Sequence, residues 1–332
     1  MRCAALALVA TLAVVVPAAA EALTEVHYVM GTYFRITADA VDGEPTRAAL
    51  RRCFATTREL DARFSRFDDH SELSRLNASL DDTVIVSPEM TALLGAALAL
   101  RVATGGIFDV GAGALTSLWR TASEWPSDET IAARRRTAGD GAFALGGGSL
   151  SRRAGTTLDL DGIAKGWAVD RCVAELRADA LHRVFLSFGE SSLYALGKPQ
   201  GHRGWRLLLR GLDDETALGA LALRDEAVSV SAVFGHERLV GGRRVGHIVD
   251  PRSGLPLTSP AMAVVVAPTA TAAEAFSKAL LIDPHGAAAA LRSGVISGAL
   301  VIRPSGVERL GHIDFTPFAR AQTIRATAEP LR

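Results

Sequence analysis

The order of apolar and polar residues along the chain predicts short strands mixed with amphipathic helices. Residues 26–38 alternate between the two types, which is typical of a strand with one buried face, and Met30-Gly31-Thr32 interrupts the alternation. Apolar residues recur at helical spacing over 46–62. A continuous apolar run at 262–267 predicts a buried strand.

Start and stop signals define a further helix. Ser87 is a suitable N-cap, Pro88 suits the first helical position, and Gly105-Gly106 ends the apolar pattern. The other predicted elements are helices at 163–177 and 272–282, strands at 156–160 and within 184–249, and a polar excursion over 121–153 with a short helix near 129–136. Because helices and strands follow no regular βαβ order, the predicted fold class is α+β.

The first twenty residues have the pattern of a secretory signal peptide. Arg2 precedes an apolar run, and Pro17-Ala18-Ala19-Ala20 supplies small residues for cleavage after Ala20. We therefore expect a signal peptide at 1–20, one domain at 21–332, and export to the periplasm or cell envelope. An uncleaved anchor is the alternative, although the apolar run is short for a membrane span. After cleavage, Cys53 and Cys172 are the cysteines that remain. They could pair or stay free, and we expect buried free thiols.

Charge and motif content exclude several classes of function. The 36 basic residues equal the 36 acidic ones, so the surface excess that nucleic-acid binding requires is missing and no nucleic-acid partner is expected. The sequence has no Walker loop, HExxH, CxxC or GxSxG motif. Only three of the basic residues are lysines, which directs attention to positions where an ammonium group cannot be replaced by a guanidinium: Lys165, Lys198 and Lys278.

Five segments carry residues suited to chemistry. In 247–254, an Asp-Pro turn holds a histidine, an aspartate and an arginine together, although a surface turn explains the same residues. In 159–166, acidic residues and a glycine precede a helix start, where phosphate binds well; simple helix capping is the alternative. The other three segments are weaker when taken alone: 108–114 with one acid in a glycine-rich loop, 65–77 with a capped helix, and 273–279 with a Glu274–Lys278 pair at ion-pair spacing.

Taken in order, these segments resemble the ApbE family of FAD:protein FMN transferases. The matching strings are MGTYFRI at 30–36, FSRFDDHSELSRLN at 64–77, FDVGAGALTSLW at 108–119, LDLDGIAKGWAVD at 158–170, HIVDPRSG at 247–254 and AEAFSKAL at 273–280. The resemblance spans most of the chain after residue 20. It implies a single-chain flavin-transferase fold.

The resemblance also implies an activity and a site. The protein would cleave FAD with a divalent metal such as Mg²⁺, attach FMN to a Ser or Thr of an exported or membrane-attached acceptor protein, and release AMP. By position, Met30 and Ser65-Arg66-Phe67 would line the FAD site, Asp109 would contact its adenosine part, and Lys165 and Ile248 would lie near the flavin nucleotide. His247 would be the base for the acceptor hydroxyl. Gly162 would offer its carbonyl oxygen to the metal.

The sequence departs from the family pattern where the metal is expected. The family's metal helix usually carries Asp and, four residues later, Thr; this chain has Glu274 and Lys278 there. Glutamate can bind Mg²⁺, whereas a charged lysine cannot. The segment Gly189-Glu190-Ser191-Ser192 and residue Ala232 also differ from the family pattern.

Two hypotheses follow from these departures. In the first, transfer is retained and Lys278 supplies part or all of the metal's charge, which makes Lys278 a candidate catalytic residue. In the alternative, a Glu274–Lys278 ion pair replaces the metal site, and the protein binds FAD or flavin without transferring it. A remnant of the fold that binds neither is the least specific possibility.

Overall fold

A computed structural model describes residues 13–14, 22–39, 43–213, 216–233, 235 and 237–323. The helices are α1 (Gly43–Phe64), α2 (Glu72–Ala78), α3 (Pro88–Ala103), α4 (Gly113–Thr121), α5 (Asp128–Arg135), α6 (Ala164–Ala178), α7 (Ala270–Ile282) and α8 (Ala287–Arg292), with a 3-10 turn at Pro284–Gly286. The strands of the first half are β1 (Ala13–Val14), β2 (Leu23–Val29), β3 (Thr32–Ala38), β4 (Thr83–Ile85), β5 (Phe143–Gly146), β6 (Ser149–Arg152), β7 (Arg183–Phe188) and β8 (Ser192–Gly197). Those of the second half are β9 (Trp205–Arg210), β10 (Thr216–Leu223), β11 (Glu226–Ala232), β12 (Arg238–Val240), β13 (Arg243–Val245), β14 (Val249–Asp250), β15 (Leu255–Pro256), β16 (Met262–Ala267), β17 (Gly298–Arg303), β18 (Gly306–Gly311) and β19 (Phe315–Thr323).

An eight-stranded antiparallel sheet forms the middle layer of the molecule. Its order is β18-β17-β16-β11-β8-β7-β3-β2. Helix α6 contacts both α1 and α7, and α7 lies across β11 and β16. A smaller sheet of order β1-β9-β10-β19 supplies residues to a second apolar cluster with the large sheet. The α+β class is confirmed.

Strand β16 shows why a continuous apolar run is needed at the centre. Met262, Val264 and Val266 point into the cluster shared with the smaller sheet. Ala263 and Val265 point into the helical core on the opposite face. Because both faces of this strand are covered, every one of its residues is buried and the polar alternation of a one-sided strand disappears.

Two predicted elements differ in the structure. Residues 156–160 form no strand beyond a single bridge between Thr157 and Ala112, because Leu158 gives both backbone groups to the side chain of Asn77. The excursion at 121–153 contains α5 as expected, and it also contains the hairpin of β5 and β6, which was missed. Gly147 and Gly148 both adopt positive φ in its two-residue turn, a conformation that favours glycine.

The two remaining cysteines pair, so the expectation of free buried thiols was wrong. Cys53 on α1 and Cys172 on α6 form a disulfide with Cα atoms 5.0 Å apart. Both are fully buried where these helices pack, so burial and pairing occur together. Their separation of 119 residues gave no sequence signal for the pairing.

The predicted signal peptide at 1–20 lies outside the described residues except for Ala13–Val14, which pairs with Leu207 and Leu208 of β9. Among the described residues, no helix combines the length and apolar character that crossing a bilayer requires.

Candidate functional site

Met30 lies in a tight turn that is fastened to the end of α1. Met30 and Gly31 form the two-residue turn between β2 and β3, both with positive φ. The Met30 backbone N–H donates to Asp61 Oδ2 at 2.9 Å, and the Asp61 carbonyl oxygen accepts from the N–H of Ser65 at 2.9 Å. Asp61 therefore holds the first two predicted segments, Met30 and the Ser65 loop, beside each other.

The loop after α1 presents a cation and an aromatic ring together. Ser65 Oγ accepts from the Phe67 N–H at 3.1 Å, which closes the loop. The Arg66 guanidinium lies 3.9 Å from the centre of the Phe67 ring, and 80% of Phe67 is exposed. An exposed ring beside a guanidinium can stack on a planar ligand.

Arg66 connects this loop to the turn before α6. Its Nε lies 2.6 Å from Asp161 Oδ2. The neighbouring carboxylate, Asp159, is held by Thr116 and Arg120 at 2.6 and 2.9 Å. Burial alone would raise the pKa of Asp159, but these two partners outweigh it and lower the pKa. Burial and the Asp159 charge raise the pKa of Asp161.

Asp109 supports the glycine-rich loop from inside. Its Oδ1 accepts from the Gly111 N–H at 2.8 Å, its Oδ2 accepts from the Gly139 N–H at 2.9 Å, and Arg101 lies 3.3 Å away. Only 1% of its side chain is exposed. In this structure the carboxylate is used to shape the loop, and its predicted contact with adenosine stays a prediction.

The closest meeting of α6 and α7 lies at Gly166. A Cβ at this position would stand 2.6 Å from the Ala270 carbonyl oxygen and 2.9 Å from Glu274 Oε2, so only glycine fits. Its N–H donates to Glu274 Oε2 at 2.6 Å. Asp170, one turn further along α6, accepts from the N–H groups of Ala270 and Thr271 at the start of α7. The two helices are thus fixed in register around Glu274.

Two of the three lysines meet on the Glu274 carboxylate. Lys165 Nζ lies 3.6 Å and Lys278 Nζ 3.7 Å from the same oxygen, Oε1. Lys278 also donates to the Glu274 carbonyl oxygen at 3.1 Å. Glu274 is 2% exposed, whereas 27% of the Lys165 side chain and 24% of the Lys278 side chain reach solvent. We call these three residues the Lys-Glu-Lys cluster.

The two lysines keep Glu274 ionised, and its carboxylate attracts both of them. Burial alone would raise the pKa of Glu274, but Lys278, Lys165 and the Gly166 N–H outweigh it, so the pKa is lowered and the carboxylate stays ionised. Burial lowers the pKa of Lys278 to about 8, against the opposing attraction of Glu274. With both lysines protonated, the cluster carries one net positive charge.

Residues of the cluster do not fit the divalent metal that the family resemblance implies. One carboxylate oxygen of Glu274 accepts from an N–H, and the other faces two ammonium groups at 3.6 and 3.7 Å. A further cation would be repelled by those ammonium groups, and a protonated lysine has no lone pair to donate. Within the described part of the chain, no group of three or more His, Cys, Asp or Glu residues could hold a metal ion. Gly162 lies beside the Lys278 side chain, whose Cδ and Cε would be 3.4 Å from a Cβ there.

The other departures from the family pattern lie around the same helix. Ser192, at the end of the altered 189–192 segment, lies beside Glu274 and helps to lower its pKa. Ser231, next to Ala232, shares a hydrogen bond of 2.7 Å with Ser277, the neighbour of Lys278. The structure therefore brings together substitutions that are far apart in the sequence.

His247 lies in a bend between β13 and β14, shortly before a fixed turn. His247 is exposed, and Ile248 is buried in the main core. The turn that follows is tied to α4 by the Trp119 Nε1–H, which donates to the Gly254 carbonyl oxygen at 2.7 Å. Arg252 spans from Asp250 to Asp283 at the end of α7. The turn is thus fastened to the helix that carries Glu274 and Lys278.

Sequence reasoning missed two residues that assemble the site, Asp61 and Asn77. Asp61 lies in the last turn of α1, where the helix dipole disfavours an acid, so its position was a usable signal. Asn77 binds both backbone groups of Leu158, 81 residues away, and no local pattern announces such a contact.

Comparison with known proteins identifies the family. The model of the ApbE family matches residues 30–296. The FAD:protein FMN transferase of Treponema pallidum is 30% identical over 260 residues, 71% of both chains. That of Klebsiella pneumoniae is 24% identical over 294 residues, 82% of both chains.

Solved structures show the same fold. The ApbE protein from Thermotoga maritima superimposes with a TM-score of 0.78 at 24% identity, covering 87% of this chain and 97% of that one. The flavin transferase ApbE from Vibrio cholerae gives 0.76 at 23%, covering 89% and 98%. With the family model spanning residues 30–296 and this fold, the chain belongs to the ApbE family.

Proposed function

We propose that the protein is an FAD:protein FMN transferase. The observation that carries the proposal is the convergence of separate motifs on the turn before α6: Arg66 binds Asp161, and Lys278 packs over Gly162 and meets Lys165 on Glu274. The relatives named FAD:protein FMN transferase support the same reaction. The Glu274–Lys278 ion pair is common to this proposal and to the alternative in which flavin is bound without transfer, and the transfer assay below separates the two.

In the proposed reaction, a Ser or Thr hydroxyl of an acceptor protein attacks the FMN phosphorus of bound FAD. A new phosphorus–oxygen bond joins FMN to the acceptor, the bond to the AMP phosphate breaks, and AMP leaves. His247 takes the hydroxyl proton, a role that suits an exposed imidazole close to a fixed turn. Arg66 and Phe67 would hold the ring systems, and Lys165 and Lys278 would stabilise charge on the diphosphate. No step is assigned to a metal.

We propose that the protein acts after export, on an exported or membrane-attached acceptor. The signal-peptide pattern at 1–20 and the Cys53–Cys172 disulfide both support an oxidising compartment.

The test is transfer of FMN to protein with a matched release of AMP. Purified 21–332 is incubated with FAD and the exported proteins of its host; in-gel flavin fluorescence and chromatography measure the two products. His247→Ala is expected to lower transfer by about 10²–10⁴-fold while FAD still binds. His285→Ala, at another exposed histidine, should leave transfer unchanged. If no AMP and no fluorescent protein form with or without Mg²⁺, the proposal is rejected.

A further inference from the structure

We infer that the Lys-Glu-Lys cluster is a cationic anchor for the diphosphate of FAD, and that it makes dinucleotide binding independent of a divalent metal. The inference rests on the proposed function, because it assigns the diphosphate of that reaction's donor to a place in the site.

Glu274 has a structural role in the cluster. Its Oε2 accepts from the Gly166 N–H and its Oε1 lies within 3.7 Å of both ammonium groups, so each oxygen of this buried carboxylate faces groups of positive charge or N–H donors. It holds the two lysines at one place. One carboxylate cannot neutralise two ammonium groups, and one positive charge remains for an anion.

The two lysine side chains of the cluster are accessible to a ligand from solvent. The Lys165 and Lys278 side chains remain about a quarter exposed while Glu274 is buried, so the cationic side of the cluster reaches solvent. Each ammonium group has three donors, more than the described contacts of Lys165 use. A ligand therefore meets N–H donors and net positive charge.

The positions of the two ammonium groups suit an anion with two linked phosphoryl groups. The two nitrogens share one carboxylate oxygen, which places them close enough to contact neighbouring phosphoryl groups. Lys278 lies over Gly162, and Lys165 belongs to the first turn of α6, whose positive dipole end favours phosphate. A diphosphate, with two linked anionic groups, fits this arrangement.

Carboxylates around the cluster do not cancel its positive charge. The nearest carboxylates are already paired: Asp161 with Arg66, and Asp170 with the start of α7. Asp161 also attracts Lys278, but Arg66 balances its charge, so the cluster keeps its excess positive charge. A divalent cation would have to enter beside two ammonium groups, whereas the diphosphate is attracted by them.

The experiment measures FAD binding to purified 21–332 by calorimetry, once in excess EDTA and once in excess MgCl₂. We expect the same Kd in both buffers. Lys278→Met should weaken FAD at least about tenfold, the loss expected when a charge-assisted hydrogen bond to phosphate is removed. Lys198→Met removes the third, exposed lysine and should leave Kd unchanged. Inorganic diphosphate should compete with FAD in EDTA for the wild type and fail to compete in Lys278→Met.

The double variant Glu274→Asp with Lys278→Thr keeps a carboxylate and removes one ammonium. We expect its FAD binding to require Mg²⁺. This variant and the wild type decide the matter even if Lys278→Met does not fold, which a melting curve reports.

Each contrary result overturns the inference. If the wild type binds FAD only with Mg²⁺, the cluster is not the anchor, while the proposed transferase function stands. If Lys278→Met binds FAD as the wild type does, the cluster is an ion pair for stability only. If FAD binds in neither buffer, the inference and the proposed function both fail.

Discussion

Glu72 shows how one side chain can organise a corner of the molecule. Its Oε1 accepts from the Ser87 N–H at 2.7 Å, and its Oε2 accepts from Ser87 Oγ at 2.7 Å and from Arg63 at 2.8 Å. These contacts join α1, α2 and the start of α3. Burial alone would raise the pKa of Glu72, but the bonds from Ser87 and Arg63 outweigh it, and the pKa is lowered.

A lowered carboxyl pKa predicts a stability contribution that is lost in acid. It is fully present above the unfolded pKa of about 4.3 and disappears as the pH falls through the lower folded value. Glu72→Gln should therefore reduce the free energy of unfolding at pH 7 by about 1–3 kcal/mol, with a smaller difference in acid. Urea unfolding of the wild type and the variant, at pH 7 and at a pH below the folded pKa of Glu72, measures the two differences.

Glu59→Gln, on the exposed side of α1, is the matched control and should change stability by less than about 0.5 kcal/mol. A Glu72→Gln difference that stays the same in acid would contradict the assigned sign.

At the residue scale, the sequence predicted the ion pair within one helix but not the second lysine that binds the same carboxylate from another helix. The four-residue spacing of Glu274 and Lys278 predicted their ion pair, which the structure confirms at 3.7 Å. Lys165 meets the same carboxylate from another helix, more than a hundred residues earlier. A helical period contains no information about that contact, because the packing of α6 on α7 creates it.

At the scale of secondary-structure elements, Gly166 allows α6 and α7 to pack closely enough for Lys165 to reach Glu274. Helix α7 can approach α6 only because residue 166 has no Cβ, and the approach brings the Gly166 N–H to Glu274. The same glycine would be unfavourable in an isolated helix, by about 1 kcal/mol relative to alanine. Its presence is explained by tertiary packing.

We predict opposite effects of Gly→Ala at two helical positions. Gly166→Ala should destabilise the protein by about 1–3 kcal/mol, because the new Cβ would lie 2.6 Å from the Ala270 carbonyl oxygen. Gly95→Ala in α3 has nothing within 4 Å of its Cβ and should stabilise by about 0.5–1 kcal/mol. Thermal melting of both variants measures the contrast. Equal shifts would show that helix propensity, and not the contact with α7, controls position 166.

Elements with strong local patterns were predicted well. The helix expected from Ser87 and Pro88 begins at Pro88, and the run at 262–267 is strand β16. The hairpin of β5 and β6 was missed because its strands have four residues each, too few for a period to stand out. The strand predicted at 156–160 was wrong because Asn77 takes the backbone groups that a neighbouring strand would need.

At the scale of the whole molecule, the Cys53–Cys172 disulfide joins parts of the chain that lie far apart. It connects α1 to α6 and closes a long loop containing α2 to α5. A crosslink of this length restricts the unfolded chain strongly. It also fits the proposed action in an oxidising compartment.

Removing the crosslink predicts a large and specific loss. Cys53→Ala with Cys172→Ala should lower the free energy of unfolding by about 2–5 kcal/mol. A reducing agent should lower the melting temperature of the wild type and leave that of the double variant unchanged. If the reductant affects both equally, or the variant melts with the wild type, the disulfide is not a stabilising element.

The shared carboxylate of Glu274 also has an evolutionary consequence. Replacing Glu274 alone leaves two neighbouring cations unbalanced, and replacing both lysines leaves a buried anion unbalanced, so either change is costly. A mutational route from this trio to a metal-binding pair therefore passes through a destabilised intermediate. Folding stability alone therefore resists the loss of any one member of the trio.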